Sequence, residues 1–443
     1  MVVARRSIAE VDFAAKIDAL TYAAASGRAR SFAALLHQLP SIYPTEILAS
    51  LDRLAKRRAI SATFVANVRR QAAQNATSIE GRSLLPLPHP LDYEWRFTSD
   101  AARLLLNRAT DLTRTDGELL LFGTPGLAIE ALALPIDRRV HFLAENNCIT
   151  DRVRSLNRAT GSPISIAYCN TGLPFESADA VLLDPPWYPD FVRPMLTAAA
   201  HACRRGGVIL ISLAPSCTRP TAEADRDAAV RFAKRLGLDL IDHNELAITY
   251  DTPFFERNAL AASGIHPPPQ WRRGDLFVFR KARESTRAPL VDTNRRRDWI
   301  EISIGRMRLF LKDVNRHDTG EIGLISLVDG DVLPTVSRRD RRRRKVQAWT
   351  SGNRIFCTDN PQLLLEAAVS CASMASGSSL QPTLWGSMRE RDAVLRVAEE
   401  LRGLAALEAR EEHGDDGTAL ERSMNWRSNS TSYCDTSTAI SSG

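Results

Sequence analysis

The chain has 443 residues, of which 44% are hydrophobic and 25% are charged, and its net charge is +6. This length exceeds one ordinary domain, so two or three domains are expected. No run approaches the ~20 apolar residues of a membrane span, and charged residues interrupt the first twenty positions, so neither a membrane segment nor a signal peptide is predicted. The seven cysteines form no CxxC pair, which favours reduced cysteines, a cytoplasmic protein and no metal site.

Arginine is strongly preferred over lysine among the basic residues. Its planar guanidinium suits phosphate, so DNA or RNA is one candidate partner. An arginine-rich composition with no partner explains the same charge equally well. Composition therefore leaves both interpretations open.

Residues 1–87 are predicted to form a helical, winged-helix-like domain. Apolar residues recur at helical spacing around Phe32–Leu36 and again in Ile47–Leu54, and Pro44 stands where a first helical turn tolerates proline. Helix, tight turn and helix suggest a helix-turn-helix unit with a basic end at Lys56–Arg58. That end could contact a phosphate backbone or complement its own helix dipole, and a packing or dimerisation role is at least as compatible with the pattern.

The proline-rich segment Leu85–Pro90 marks a boundary, and residues 91–283 alternate apolar runs with helical stretches, as parallel α/β sheets do. Five apolar runs and two later alternating ones predict seven strands in one Rossmann-like sheet. They are Leu119–Phe122, Val140–Leu143, Ile164–Ala167, Ala180–Leu183, Val208–Ile211, Glu245–Thr249 and Leu276–Phe279.

Residues 293–412 are predicted to form an α+β region of unknown role, with strands up to Cys357, a helix near Pro361–Met374 and an amphipathic helix near Asp392–Glu412. The basic run Arg338–Lys345 interrupts this region. Such runs are usually solvated loops, and contact with a polyanion such as DNA or RNA is the alternative. Residues 413–443 are rich in Ser, Thr and Asn, which predicts a disordered tail.

Three strand ends carry the candidate cofactor site. Phe122 and Gly123 through Gly126 form a glycine turn between a strand and a helix, where backbone can approach a ligand closely. Glu145 follows the next strand, where dinucleotide-type folds place an acid on ribose hydroxyls. Asn170 ends the third apolar run and could bond an adenine amino group.

The segment Asp184-Pro185-Pro186-Trp187 follows an apolar strand and is the candidate reactive centre. Asp184 can accept a hydrogen bond from a substrate amine, and the prolines remove backbone donors, which leaves carbonyls to face a cleft. The Trp187 ring offers a surface on which a planar base can stack. The pattern indicates group transfer to an amino nitrogen.

This segment resembles motif IV of the amino-group methyltransferases, which act on N6 of adenine or N4 of cytosine. Residues 122–126 resemble that family's glycine motif, with one extra residue between the glycines. The resemblance covers about 190 residues, 91–283, and its motif order matches a class I methyltransferase fold. It implies S-adenosylmethionine as cofactor, bound by Phe122, Gly123, Gly126, Glu145 and Asn170, with Asp184, Pro185, Pro186 and Trp187 as catalytic residues.

The overall layout also resembles the branched-chain polyamine synthases, which combine a winged-helix unit, a class I fold and an Asp-Pro-Pro motif. Their glycine motif carries a run of carboxylates for cationic amines, whereas this chain has Gly123-Thr124-Pro125-Gly126. We therefore expect a methyltransferase acting on an amino nitrogen of DNA or RNA. An aminopropyltransferase and a catalytically inactive nucleic-acid-binding or assembly protein are the alternatives.

Overall fold

The computed structural model describes residues 8–74, 84–144, 146–161, 164–168, 176–284, 298–314, 322–375 and 388–412. These residues form two compact units. The first contains residues 8–74, 95–252 and 265–284, and the second contains residues 84–94, 253–264 and 298–412. The four domain ranges expected from the sequence stay predictions, and the tail 413–443 lies outside the described residues.

Four helices begin the first unit: α1 (Ile8–Ser26), α2 (Phe32–Gln38), α3 (Pro44–Lys56) and α4 (Ala62–Ala72). The predicted helices at α2 and α3 are confirmed. Ser31 caps α2 by accepting a hydrogen bond from the backbone N–H of Ala34, and Pro44 occupies the first turn of α3. Residues 8–74 contain no strand, and a winged helix stays a prediction.

An eight-stranded sheet follows in the same unit, with helices between its strands. Its elements are β1 (Arg96–Phe97), α5 (Ser99–Asp111), β2 (Glu118–Phe122), α6 (Pro125–Ala133), β3 (Arg139–Ala144), α7 (Asn147–Thr160), β4 (Ser165–Tyr168), β5 (Ala178–Leu183), α8 (Pro189–Ala202), β6 (Cys203–Leu213), α9 (Ala222–Arg235), β7 (Leu238–Asp251) and β8 (Arg273–Lys281). The strand order is β1-β7-β8-β6-β5-β2-β3-β4.

Strands β2 to β6 are mutually parallel, and β8 runs antiparallel between β6 and β7. This confirms the predicted α/β fold of class I methyltransferase type. The predicted count of seven strands is short by one, because β1 pairs only two residues with β7 at the sheet edge and is too short to show a strand pattern. Every residue of β5 is buried, as expected for a strand covered on both faces.

The second unit is α+β, as predicted. Its elements are α10 (Phe254–Ala261), β9 (Trp299–Ile304), β10 (Met307–Lys312), β11 (Ile325–Ser326), a 3₁₀ helix (Arg341–Lys345), β12 (Ala348–Thr350), β13 (Ile355–Cys357), α11 (Pro361–Ala375) and α12 (Met388–Glu412). The five strands pair antiparallel in the order β11-β13-β12-β10-β9.

The core of the second unit is formed by apolar side chains of β10, β12, β13, α11 and α12. The proline-rich segment predicted as a boundary belongs to this unit, where its Leu87 carbonyl accepts a hydrogen bond from the buried Arg308 and His89 bonds the carbonyl of Trp349. Across the described ranges, every helix is too short or too polar to span a bilayer.

Candidate functional site

The two motif segments meet at the carboxyl ends of neighbouring parallel strands. In the ladder between β2 and β5, Phe122 pairs with Leu183. Gly123 and Asp184 are the residues that follow these partners, so both leave the sheet at the same edge. Ligands of open α/β sheets bind outside this edge, and the two predicted motifs therefore share one cleft.

The glycine turn is shaped for close approach of a ligand. Gly123 has a φ of +65°, a left-handed conformation that favours glycine. A Cβ atom on Gly126 would meet only the Cβ of Arg96, at 4.0 Å. Thr124, which precedes α6, is 3% exposed, and among the described residues its Oγ1 has no hydrogen-bond partner. A buried hydroxyl without a partner at a helix start fits a polar ligand such as the amino-acid end of S-adenosylmethionine.

The remaining predicted cofactor residues lie elsewhere or are not described. Phe122 is 4% exposed and packs in the core between the sheet and helices α8 and α9. Glu145 and Asn170 lie outside the described residues, and their roles on ribose and adenine stay predictions. The part of the cleft that can be tested is therefore the glycine turn.

Asp184 forms a hydrogen bond with the side chain of Tyr250, which in turn bonds that of Ser212. The phenol oxygen of Tyr250, on β7, lies 2.8 Å from Oδ1 of Asp184 and 2.6 Å from Oγ of Ser212, on β6. A phenol has a single proton and an ionised carboxylate can only accept. Tyr250 therefore donates to Asp184 and accepts from Ser212. This relay fixes the orientation of the carboxylate.

The phenol keeps its proton over the physiological range. Tyr250 is 1% exposed. Burial raises its pKa well above the ordinary value, and the negative charge of Asp184 raises it further. The phenol therefore stays protonated at neutral pH and can donate its hydrogen bond to Asp184.

The Trp187 ring also contacts Tyr250. The ring centres of Trp187 and Tyr250 are 5.6 Å apart, and the two ring planes are nearly perpendicular. The Pro186 carbonyl accepts a hydrogen bond from the backbone N–H of Tyr188. Pro185 is buried and Pro186 is half-buried. The structure thus brings the four predicted catalytic residues together at the end of β5, with the carboxylate and the indole both against Tyr250.

Three indoles surround one guanidinium beside this segment. The Cζ atom of Arg272 lies 4.2 Å from the ring centre of Trp95, 4.9 Å from that of Trp187 and 5.7 Å from that of Trp271. We call these four residues the tryptophan clamp. Such cation–π contacts favour a guanidinium over other cations. The Trp187 ring, which was expected to stack on a base, is thus also in contact with the Arg272 guanidinium.

Local structure explains how the clamp is assembled. The β1–β7 ladder pairs Phe97 with Tyr250. This pairing places Trp95 beside the tyrosine, with the two ring centres 6.3 Å apart. In the turn between α2 and α3, Ser41 donates to the carbonyl of Arg273 and accepts from its backbone N–H. The helices before the sheet therefore support the segment that carries Trp271 and Arg272.

Gly274 is required by close packing at the start of β8. A Cβ atom there would lie 2.5 Å from Oγ of Ser212, 3.0 Å from Trp187 and 3.1 Å from Tyr250. Any side chain would therefore displace the residues that hold Asp184 in place. Tyr250, Ser212, Arg272 and Gly274 were not predicted as site residues. The one available signal was a glycine that opens a strand after adjacent tryptophan and arginine.

The basic run Arg338–Lys345 lies in the second unit, and its residues differ in whether they contact the protein or face solvent. Arg343 donates to the carbonyl of Val336 and to the Tyr93 phenol, and its guanidinium stacks on Trp349. Arg342 forms an ion pair with Asp340 at 2.7 Å. The exposed members of the run are Arg338, Arg339, Arg341, Arg344 and Lys345. Part of the run is thus structural and part faces solvent.

No protein-family profile matches the chain, and no curated protein matches it. Among solved structures, the chain is similar to a branched-chain polyamine synthase from Thermus thermophilus in complex with N4-aminopropylspermidine and 5'-methylthioadenosine, at 14% identity and a TM-score of 0.46. That match covers 65% of this chain and 98% of the synthase. A methyltransferase from Pyrococcus furiosus is similar at 16% identity and a TM-score of 0.29, over 42% of this chain and 84% of that one.

Identities this low concern the fold alone, and TM-scores below 0.5 support no argument about activity. The fold assignment for this chain rests on its own strand order and on the placement of its motifs.

Proposed function

We propose that the protein is an S-adenosylmethionine-dependent methyltransferase that acts on an amino nitrogen. The observation that carries the proposal is the pairing of Phe122 with Leu183, which brings the glycine turn and Asp184 to one cleft of a class I sheet. The unpartnered, buried Thr124 hydroxyl adds a second reason to expect a polar ligand at the turn. A nucleobase of DNA or RNA is the finer substrate proposal, and it is supported by the indole of Trp187 beside Asp184.

Each residue has a distinct task in this proposal. Gly123, Thr124 and Gly126 would hold the cofactor, which would supply a methyl group on a positively charged sulfur, with the C–S bond breaking as the N–C bond forms. Asp184 would accept a hydrogen bond from the substrate N–H and so turn the nitrogen lone pair towards the methyl group, and the amine proton would leave to solvent. Tyr250 and Ser212 hold the Asp184 carboxylate in one orientation, so that catalysis is mainly positioning.

Methyl transfer can be measured directly with labelled S-adenosylmethionine and DNA or RNA. We expect wild type to incorporate label and Asp184→Ala to lose about 100-fold or more of the rate, because an amine that is no longer oriented loses much of the positional advantage. Asp227→Ala, which changes an exposed aspartate of α9, is the matched control and should behave as wild type. Equal incorporation by the wild type and Asp184→Ala would refute the proposal.

An aminopropyltransferase using decarboxylated S-adenosylmethionine is the second enzymatic candidate. It would need negative charge around a cationic amine. In the described part of the cleft the clamp instead presents a guanidinium. This observation favours methyl transfer. Product formation from spermidine in place of nucleic acid would reverse the preference.

We propose DNA or RNA as a partner through the exposed residues of Arg338–Lys345 and through the N-terminal helices. The support is the cluster of solvent-facing cations in that run. By contrast, Arg53 of α3 and Arg57, which follows the helix, are paired with Asp18. Binding through the run should weaken steeply with salt. A protein that binds DNA in this way but shows no calorimetric response to S-adenosylmethionine would be the inactive assembly protein.

A further inference from the structure

We propose that Arg272 forms an anion-binding subsite, so that the substrate carries a carboxylate or a phosphate in addition to the amine that is methylated. The methylated amine rests on the proposed function, whereas the subsite rests on the tryptophan clamp alone. Arg272 is half-buried, and the Trp95 and Trp187 rings both lie within 5 Å of its Cζ atom.

The described part of the chain places no carboxylate in an ion pair with the Arg272 guanidinium. Its Nε is buried and, within the described ranges, has no acceptor. By comparison, two other half-buried arginines of the unit are paired with carboxylates: Arg226 pairs with Asp275 at 3.0 Å, and Arg53 pairs with Asp18 at 2.7 Å. A charge of this kind is normally paired or exposed. Arg272 therefore presents unused bonding capacity.

A second donor in the clamp is in the same condition. Trp271 is 4% exposed, and its indole N–H finds no acceptor among the described residues. Indole N–H groups usually have a partner when buried. Two buried donors without acceptors on adjacent, contacting side chains indicate a ligand that only accepts hydrogen bonds. Because one of the two donors is a positively charged guanidinium, an anionic acceptor is favoured, and a planar guanidinium binds both carboxylate and phosphate through paired hydrogen bonds.

The position of the subsite fits a group attached to the acceptor amine. Trp187 contacts both Arg272 and Tyr250, and Tyr250 bonds Asp184. One indole and one phenol thus connect the guanidinium to the carboxylate that orients the amine. A substrate whose amine lies at Asp184 and whose anionic group lies at Arg272 would be held at both ends. A polyamine would instead place positive charge against the guanidinium.

Tryptophan fluorescence can test the subsite because three indoles line it. Four probes form two matched pairs: ornithine with putrescine, which differ by a carboxylate, and AMP with adenosine, which differ by a phosphate. For wild type we expect at least one anionic probe to bind with a Kd at least tenfold lower than that of its partner. The pair that responds distinguishes the carboxylate from the phosphate.

Three variants complete the experiment. Arg272→Gln should abolish the preference for the anionic probe, Arg272→Lys should keep part of it, and Arg280→Gln, on the exposed end of β8, should leave it unchanged. Equal or tighter binding of putrescine and adenosine, no response to either anionic probe, or a preference that survives in Arg272→Gln would each overturn the subsite. Calorimetry of the wild type with S-adenosylmethionine is run in parallel. A wild type that binds no S-adenosylmethionine but still prefers the anionic probe would refute the proposed function and leave the anion subsite intact.

Discussion

Tyr250 is the residue on which the geometry of the candidate centre depends most. Its hydroxyl connects Asp184 with Ser212, and its ring packs against Trp187, Trp95 and Phe97. A buried aromatic ring with its hydroxyl satisfied on both sides has little freedom to move. The carboxylate that it holds is therefore oriented before any substrate arrives.

Tyr250→Phe should keep the ring packing and remove the hydrogen bond to Asp184. A hydrogen bond to a charged group contributes about 1.5–3 kcal/mol, so we expect kcat to fall by about 10- to 100-fold with little change in the Kd for the cofactor. Because burial raises the pKa of the phenol, the wild type should show no loss of rate from its ionisation up to pH 9.

Steady-state methyl transfer in wild type and variant, measured from pH 6 to pH 9, checks both expectations. Tyr22→Phe, at an exposed position of α1, serves as the control. An unchanged kcat in Tyr250→Phe would show that Asp184 is positioned by other groups.

Residues of the site were predictable from sequence only where the signal was local. Gly123 and Asp184 stand in short motifs directly after apolar strands. Tyr250 lies 66 positions from the aspartate that it bonds, and Ser212 lies 38 positions from Tyr250. No spacing rule joins residues at such distances, because the register between strands brings them together. Arg272 was missed for the same reason.

At the scale of elements, strands and helices followed from their apolar patterns. All seven predicted strands are present, and α11 and α12 lie where helices were expected. The two-residue β1 was missed because its pairing with β7, not its own sequence, makes it a strand. Elements of that length depend on tertiary context.

The contact between α1 and α3 illustrates how helices that pack in one unit are also linked by charge. Asp18 of α1 is 6% exposed and accepts hydrogen bonds from Ser50 at 2.8 Å and from Arg53 at 2.7 Å. Burial raises the pKa of Asp18, but these hydrogen bonds and the neighbouring arginines lower it by more, so that its pKa lies below the usual range. The ionised form is therefore favoured in the folded protein.

Asp18→Asn should destabilise the protein by about 1–3 kcal/mol, because the Arg53 guanidinium would then face a neutral amide in place of a carboxylate. The folded pKa is depressed, so the contribution of Asp18 is complete above the unfolded pKa of about 3.9 and disappears as pH falls through the folded value. Denaturant unfolding at pH 7 should show the full difference from wild type, and the difference should shrink below pH 4.

The control is Asp52→Asn on α3, which removes a solvent-exposed pair with Arg69 and should cost less than about 1 kcal/mol. A difference between Asp18→Asn and wild type that stayed constant down to pH 3 would contradict the depressed pKa.

At the scale of the whole molecule, each of the two compact units has its own core and its own buried charges. In the second unit Glu408 is 1% exposed and accepts hydrogen bonds from the Ser351 hydroxyl and the Gly352 N–H, both at 3.0 Å. Thr350 donates to it as well, and Arg354 lies 3.4 Å away. One carboxylate thereby joins α12 to the turn between β12 and β13.

Glu408→Ala should destabilise the second unit by about 3–5 kcal/mol, because three buried donors lose their acceptor and Arg354 keeps only its ion pair with Glu411. Differential scanning calorimetry should show the transition of that unit moving to lower temperature while the transition of the first unit stays in place. Glu399→Ala removes an exposed carboxylate of the same helix and should leave both transitions unchanged. If both transitions moved to lower temperature together in Glu408→Ala, the chain would unfold as one cooperative unit.

Residues 253–264, between β7 and β8, belong to the second unit. Within that unit Asn258 of α10 donates to the Gly352 carbonyl and Ser263 donates to that of Pro334. On the ribosome, α10 emerges with the strands of the first unit, yet its partners at 334 and 352 are made later. Until then Phe254, Phe255 and Leu260, which are at most 3% exposed in the folded protein, have no core of their own to enter. Apolar surface exposed at this stage invites aggregation. Nascent chains that end shortly after residue 284 should therefore be the stage at which a chaperone is needed most.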